Sequence, residues 1–165
     1  MHQIVVLGGG AAGMAAALAA AQSAPAGAVR VTVLDRNLRC GKKLLATGNG
    51  RCNLDNTSIA PECYFTSDRS ALAPLLNAVN TADPLEWFTA LGLYTRTDET
   101  GRVYPYSNQA ADVLALLEGQ MTRLGVEVRT GCTVNTLSQN RSGYAILFDS
   151  PERSNETLRA DAVIC

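Results

Sequence analysis

The feature that most constrains this chain is its first 35 residues, which have the pattern of a strand, a helix and a second strand. Residues 3–7, QIVVL, are mostly apolar and rich in β-branched side chains, as is typical of a strand buried on both faces. Residues 11–22, AAGMAAALAAAQ, are almost all alanine, the strongest helix former. Pro25 and Gly27 end this helix, and residues 29–35, VRVTVLD, return to the β-branched pattern. The pattern predicts a right-handed, parallel strand–helix–strand unit.

A glycine-rich turn joins the first strand to the helix. Gly8, Gly10 and Gly13 have the spacing G-x-G-x-x-G, which is weak evidence by itself and stronger between a strand and a helix. The first glycine permits a tight turn, the second lets backbone amides approach a pyrophosphate, and the third lets the helix pack close to the strand. The helix then begins at Ala11 and Ala12, whose N–H groups face the anion. A plain tight turn would explain the glycines alone.

An acidic residue at the end of the second strand adds to this pattern. Asp35 lies 22 positions after Gly13, where a carboxylate accepts hydrogen bonds from ribose hydroxyls. Such an acid suits both NAD and FAD, whereas Arg36 beside it would suit a 2′-phosphate. The simple strand–helix alternation then breaks down over residues 37–107, where a nicotinamide domain would usually continue into another helix and strand. This departure favours FAD.

The remaining elements predict one FAD-binding domain over residues 1–165, a Rossmann-type α/β fold with a parallel sheet. Residues 37–107 form an inserted helical and hairpin segment, and a small antiparallel meander follows later. The predicted pieces are a loop at 40–56, a helix from Asp83 to Gly92, a hairpin turning at 99–101, a helix at 109–124, a third sheet strand at 126–130, meander turns at 140–143 and 151–155, and a last buried strand at 160–165.

Composition excludes several classes of function. The 14 basic and 15 acidic side chains give a formal net charge of -1, with no basic stripe for a nucleic acid or an anionic membrane. The first residues lack the charged region of a signal peptide. The five cysteines include no C-x-x-C pair and His2 is the only histidine, so neither a zinc site nor a Cys–His catalytic pair is expected. Scattered thiols suit a reducing compartment, and we expect a cytoplasmic protein.

Four blocks of the sequence resemble, in order, the BaiN-like family of NAD(P)/FAD-dependent oxidoreductases. They read VVLGGGAAGMAAALAA, LDRNLRCGKKLLATGNGRCNLDN, GRVYPYSNQAADVLALL and GVEVRTGCTVNTL, and they cover almost the whole chain. The stretch GKKLLATGNGRCN is the specific part. Two departures are Asn49, where relatives commonly have glycine, and Asp35, where a Glu is usual.

By this resemblance, the loop at residues 41–54 lies along FAD, from the phosphates toward the isoalloxazine ring. The implied cofactor-binding residues, besides those of the glycine turn, Asp35 and Arg36, are Lys43, Thr47, Gly48, Asn49, Gly50, Arg51, Cys52, Asn53 and Val134. Gly48 and Gly50 let the backbone approach a flat ring. Arg51 or Lys43 stabilises the negative charge that develops on reduced flavin. A surface turn with a solvated arginine is the alternative.

Other side chains of these blocks fit less specific roles. Asn53 supplies a donor and an acceptor, and the backbone of Val134 meets the adenine by resemblance. Cys52 has no partner cysteine nearby, so a structural thiol is favoured over a disulfide-reductase mechanism. Tyr104 and Tyr106 fit packing better than a cavity wall.

The resemblance implies an FAD-dependent reductase that takes hydride from NAD(P)H and passes it to a small organic acceptor. The alternatives are a flavin- or nucleotide-binding fragment without turnover, and a plain NAD-dependent dehydrogenase. No catalytic residue is assigned and no metal is expected. We expect the chain to be the N-terminal part of a longer enzyme, since the family continues into a substrate domain.

Overall fold

The computed structural model describes residues 1–80 and 83–165, which form ten strands and four α-helices. The strands are β1 His2–Leu7, β2 Val29–Asp35, β3 Asp55–Asn56, β4 Thr95–Thr97, β5 Arg102–Pro105, β6 Glu127–Thr130, β7 Thr133–Asn140, β8 Gly143–Asp149, β9 Glu156–Ala160 and β10 Ala162–Ile164. The helices are α1 Ala11–Gln22, α2 Arg69–Asn80, α3 Pro84–Ala90 and α4 Ala110–Arg123. Two compact units divide the chain: a first unit of residues 1–45 and 117–165, and a second unit of residues 46–116.

The first unit contains a parallel sheet with strand order β10-β1-β2-β6. β1 pairs with β2 from His2↔Val29 to Leu7↔Leu34, with α1 as the crossover between them. This confirms the predicted strand–helix–strand unit and the third sheet strand. The prediction of a buried strand at the end of the chain is only partly right. β10 pairs with β1, but at this edge of the sheet Ala162 and Ile164 are exposed.

The first unit also contains the antiparallel meander β7-β8-β9. Its two turns lie at residues 140–143 and 151–155, as the sequence predicts. A β-bulge between Val134 and Thr136 interrupts the pairing of β7 with β8. The buried residues that form the core cluster of this region are Val5, Leu34, Cys132, Ile146, Phe148 and Ala160. They join strands of the parallel sheet to strands of the meander.

The second unit contains the small antiparallel sheet β3-β5-β4. The predicted hairpin is confirmed, since β4 pairs with β5 and Gly101 N–H donates to Asp98 O at the turn. The predicted start of α3 is also confirmed. The Asp83 carboxylate accepts from the N–H groups of Leu85 and Glu86 at 2.8 and 3.3 Å.

Two predictions for residues 40–80 were incomplete. Residues 40–56 do not form a plain loop, because short 3₁₀ turns occupy Leu44–Gly50 and β3 pairs with β5. Helix α2 was not predicted. Its sequence signal is Asp68, whose carboxylate accepts from the N–H groups of Ser70 and Ala71 at 3.0 and 3.2 Å. The hydrogen bond from the Ser70 hydroxyl, followed by these two backbone bonds, lowers the pKa of Asp68.

No helix within the described parts of the chain combines the length and the apolar character needed to cross a bilayer.

Candidate dinucleotide-binding site

The glycine-rich turn connects the end of β1 to the start of α1. Gly8 has a φ of +107°, which favours glycine, and its N–H donates to Leu34 O at 2.8 Å. Gly10 is the N-cap of α1. Because glycine has no side chain, this cap makes no side-chain hydrogen bond. The first turn of α1 carries no acidic residue. The first N–H groups of this helix therefore offer donors and a positive dipole end to an anion.

The three motif glycines differ in the space around them. A Cβ added to Gly8 or Gly10 would meet nothing within 4 Å. A Cβ on Gly13 would collide with the carbonyl oxygen of Gly8. The third glycine thus allows close packing of helix on turn, and the first two border open space. This geometry matches the roles that the spacing predicts, and phosphate contact at the turn stays a prediction.

Asp35 at the end of β2 is bonded to the turn itself. Its Oδ2 accepts the N–H of Gly9 at 2.6 Å, and the residue is only 6% exposed. Its Oδ1 accepts both the backbone N–H and the side-chain Nδ2 of Asn37, at 2.7 and 2.9 Å. The predicted role in ribose binding therefore needs an addition: the carboxylate also braces the glycine turn. Oδ1 already has two donors, whereas Oδ2 has one and keeps a second lone pair for a further donor.

Three residues that the sequence reasoning missed complete this brace. They are Gly9, Asn37 and Cys40. The Cys40 thiol lies against Gly9, since a Cβ on Gly9 would collide with Cys40 Sγ, and Gly41 N–H donates to Gly9 O at 2.8 Å. The sequence signal for this contact was the pair Cys40-Gly41, which lies in the second block that resembles the family. Nothing in the local pattern, however, indicates that Cys40 contacts Gly9, 31 residues earlier.

Cys40 is itself 3% exposed. Burial raises the pKa of its thiol to about 11, with smaller contributions from the nearby carboxylates of Asp35 and Glu118. A thiol in this state is neutral and unreactive at pH 7, which suits packing rather than chemistry.

A cavity of about 320 Å³ lies beside the turn in the first unit. Its lining residues are Leu7, Gly8, Leu34, Asp35, Arg36, Asn37, Cys132, Thr133 and Val134. Four predicted residues therefore meet at one place: Gly8, Asp35, Arg36 and Val134. The cavity lies at the carboxyl ends of β1 and β2, where open α/β sheets bind their ligands. Lys43, also of the first unit, is exposed and does not line this cavity.

The segment Thr47–Asn53 belongs to the second unit and has an unusual backbone. Gly48, Asn49, Gly50 and Cys52 all have φ between +55° and +81°. Besides glycine, asparagine is one of the few residues that tolerates this region, which suits Asn49 at a φ of +56°. Cys52 N–H donates to Thr47 O at 3.0 Å, which closes the turn.

Arg51 in this segment is not a solvated surface arginine. Its Cζ lies 4.3 Å from the centroid of the Tyr104 ring, and Nη2 donates to the Tyr104 hydroxyl at 3.2 Å. Tyr104 is 3% exposed, as packing predicts, whereas Tyr106 is 70% exposed and lines a separate cavity of the second unit, so the expectation for Tyr106 was wrong.

Cys52 and Asn53 have structural contacts as well. Cys52 is buried, and burial raises its pKa although a hydrogen bond with Thr47 opposes the shift. With its amide nitrogen turned inward, Asn53 donates to Val103 O at 3.1 Å and to Asp55 O at 2.8 Å. The amide thus fastens the end of the segment to β5. Whether any of these residues contacts a flavin stays a prediction.

Comparison with known proteins identifies the family to which this chain belongs. Residues 2–165 match the family described as the HI0933-like protein Rossmann domain. Over 164 residues the chain is 42% identical to 3-dehydro-bile acid delta(4,6)-reductase of Clostridium scindens, covering 99% of the chain and 38% of that relative. It is 24% identical to ribosomal RNA dihydrouridine synthase of Haemophilus influenzae, covering 87% of the chain and 35% of that relative.

Among solved structures, the open conformation of a flavocytochrome c3 fumarate reductase has the same fold. The TM-score is 0.70 at 20% identity, over 98% of this chain and 32% of that one. The chain thus spans little more than a third of the length of the curated relatives it matches. With the glycine turn, the acid of β2 and a family match over nearly every residue, the chain belongs to the HI0933-like Rossmann family of BaiN-like FAD-dependent oxidoreductases.

Proposed function

We propose that this chain is the FAD-binding part of a reductase that takes hydride from NAD(P)H and saturates a carbon–carbon double bond in a small organic acceptor. The observation that carries the proposal is the 42% identity, over 99% of the chain, to a protein named as a delta(4,6)-reductase. The cavity beside the glycine turn supports it, because four of the residues that the sequence predicts for dinucleotide binding line it: Gly8, Asp35, Arg36 and Val134.

The first unit has the parts needed to hold the adenosine diphosphate half of FAD. Open space beyond Gly8 and Gly10 leaves room for the pyrophosphate, and the N-terminus of α1 supplies donors to it. Asp35 is already fixed by Gly9 and Asn37, so the one free lone pair, on Oδ2, has a set direction in which to accept a ribose hydroxyl. Because this orientation is fixed before binding, little ordering cost remains.

The reaction class follows from what the two named relatives share. Saturating the delta(4,6) bonds of a dehydro-bile acid and converting uridine to dihydrouridine each require a hydride on one carbon and a proton on the other. Bound flavin supplies the hydride, and the protein orients the acceptor and tunes the charge around the ring. The acceptor we favour is a carbon–carbon double bond conjugated to a ketone, in a small molecule rather than in RNA. The cysteine content, with all five thiols free, suits a reducing cytoplasm.

A visible spectrum of the purified full-length protein tests the cofactor and the donor together. We expect a yellow protein whose flavin bands bleach on anaerobic addition of NADH or NADPH. A yellow protein that neither nucleotide bleaches would favour a flavin-binding scaffold. A colourless protein that reduces NAD would favour a nicotinamide dehydrogenase. Because the chain spans 38% of its bile-acid relative, we expect residues 1–165 alone to bind FAD weakly and to show no NAD(P)H-driven turnover.

Reoxidation of the reduced protein then tests the acceptor. We expect a 3-oxo-4-ene steroid to reoxidise the flavin and to gain two hydrogens, as measured by mass spectrometry. The same steroid without the ring double bond is the control and should leave the flavin reduced. Reoxidation by an unmodified ribosomal RNA fragment, with no response to the enone, would contradict the small-molecule proposal.

A further inference from the structure

The end of the segment Thr47–Asn53 is held against strand β5 by hydrogen bonds. Leu54 N–H donates to Val103 O at 2.8 Å, and Asp55 pairs with Val103 in the antiparallel ladder of β3 and β5. The Asn53 amide adds a bond to the same carbonyl. The backbone of β5 therefore fixes the end of the segment, and the next residue of β5 is Tyr104.

The Tyr104 side chain lies under the start of the same segment. A Cβ on Gly48 would come within 3.2 Å of Tyr104 Cε1, so the glycine allows the backbone to lie directly on the ring. The guanidinium of Arg51 covers the ring at 4.3 Å and also donates to its hydroxyl. Arg51 Nε donates to Gly48 O at 3.3 Å. The aromatic ring is thus a platform for both the turn and the cation.

These contacts hold Arg51 before any ligand binds. A free arginine side chain has about 2 kcal/mol of rotamer entropy, which the ring, the hydroxyl and the Gly48 carbonyl have already restricted. Within residues 1–80 and 83–165, no carboxylate lies within 4.0 Å of the Arg51 guanidinium. The cation is therefore positioned by neutral groups and keeps its charge available for an anion.

We propose that Tyr104 is a positioning residue, which holds Arg51 so that its guanidinium stabilises the negative charge of reduced flavin. The inference rests on the proposed function, because hydride transfer to a flavin leaves a negative charge on the pyrimidine side of the ring. A preorganised cation stabilises such a charge more than a mobile one, since no reorganisation is needed at the moment of reaction. Tyr104 itself takes no part in the chemistry.

Three substitutions separate the ring from the charge. Tyr104→Leu removes the platform, Tyr104→Phe keeps the ring and removes the hydroxyl, and Arg51→Ala removes the cation. Tyr106→Leu is the matched control, because Tyr106 lies two positions after Tyr104 and is 70% exposed. The midpoint potential of bound flavin and the rate of its anaerobic reduction by NAD(P)H are measured in the full-length protein. Urea unfolding confirms that each variant folds.

We expect Arg51→Ala to slow reduction about a hundredfold and to lower the potential. Tyr104→Leu should approach that result. Tyr104→Phe should slow reduction about three- to tenfold, as for loss of one ordinary hydrogen bond, and Tyr106→Leu should match the wild type. A Tyr104→Leu protein with the wild-type potential would overturn the proposal. If that variant does not fold, a wild-type rate in Tyr104→Phe would overturn it instead.

A second measurement needs no cofactor and separates failure of this inference from failure of the proposed function. In residues 1–165 without FAD, the Arg51 δ-protons should show an upfield ring-current shift by NMR, which Tyr104→Leu abolishes. Absence of the shift in the wild type would refute the positioning role whatever the function is. A clear shift in a full-length protein that takes up no flavin would instead sink the flavin proposal, and this inference with it.

Discussion

The backbone N–H of Gly9 donates to Oδ2 of Asp35 at 2.6 Å, a short charge-assisted hydrogen bond between the glycine turn and the end of the neighbouring strand. Oδ1 of the same carboxylate accepts from Asn37, so both oxygens have protein donors. The residue expected to meet a ribose is therefore also the residue that fixes the shape of the phosphate turn. Loss of Asp35 should therefore lower both the affinity for the cofactor and the free energy of unfolding.

Asp35→Ala is accordingly expected to have two effects. Loss of a ribose hydrogen bond to a carboxylate should weaken FAD roughly tenfold to a hundredfold, or about 1.5–3 kcal/mol, without changing the flavin spectrum. Loss of the acceptor for Gly9 N–H should also lower the free energy of unfolding by about 1–3 kcal/mol. Flavin titration and urea unfolding measure the two effects. Asp98→Ala is the control, because the Asp98 carboxylate also accepts backbone N–H groups but does not line the cavity. An Asp35→Ala protein that binds FAD like the wild type would remove Asp35 from the ribose.

Gly10→Val tests whether the turn binds phosphate. The position has an extended backbone and no atom within 4 Å of an added Cβ, so a valine should fold there. It would nevertheless fill the space expected for the pyrophosphate, and flavin occupancy should collapse while the melting temperature stays near that of the wild type. Gly119→Val, at an open position in α4, is the matched control. Normal flavin content in the Gly10 variant would show that the turn does not contact the cofactor.

Gly13→Ala should act on the fold instead. An added methyl group would collide with the Gly8 carbonyl oxygen, and a backbone atom cannot move aside as a flexible side chain can. Overpacking of this kind costs about 1–3 kcal/mol. Gly119→Ala should have the opposite sign and stabilise by up to about 1 kcal/mol, because alanine is the better helix former. Chemical denaturation of the two variants checks this, and equal midpoints would refute the close contact.

The Cys40 thiol should make stability depend on alkaline pH. A cysteine in the unfolded chain ionises near its ordinary pKa of 9.0, whereas burial keeps the folded thiol protonated to about pH 11. Between these values the folded state binds more protons, so the free energy of unfolding falls as pH rises, by up to about 2.7 kcal/mol in total. Below pH 9 this group contributes no pH dependence.

Denaturant unfolding at pH 8 and pH 10.5 measures this effect against a background of other titrating groups. Cys40→Ala should show a smaller loss of stability between the two pH values than the wild type. Cys63→Ala is the control, since Cys63 is exposed, and it should lose as much stability as the wild type. Identical losses in all three proteins would mean that Cys40 is not held neutral by the fold.

The sequence alone determined the parts of this protein that depend on local preferences. β-branched runs, an alanine-rich helix and positions for Gly8 and Gly13 are properties of short stretches, and the first unit follows them closely. The cap at Asp83 and the hairpin before β5 were predicted for the same reason. Helix α2 was missed although Asp68 caps it, and Pro74 in its interior weakens the local signal for a helix.

Tertiary structure decided what the individual site residues do. No spacing rule places Cys40 against Gly9, or Tyr104 beneath Arg51 some 53 positions away, because these contacts depend on how strands and turns pack rather than on local periodicity. The sequence therefore offered Arg51 as either a flavin contact or a solvated charge, and could not choose. Burial of the Tyr104 ring decided that the cation is held in place, since only packing across the chain brings a neutral platform to it.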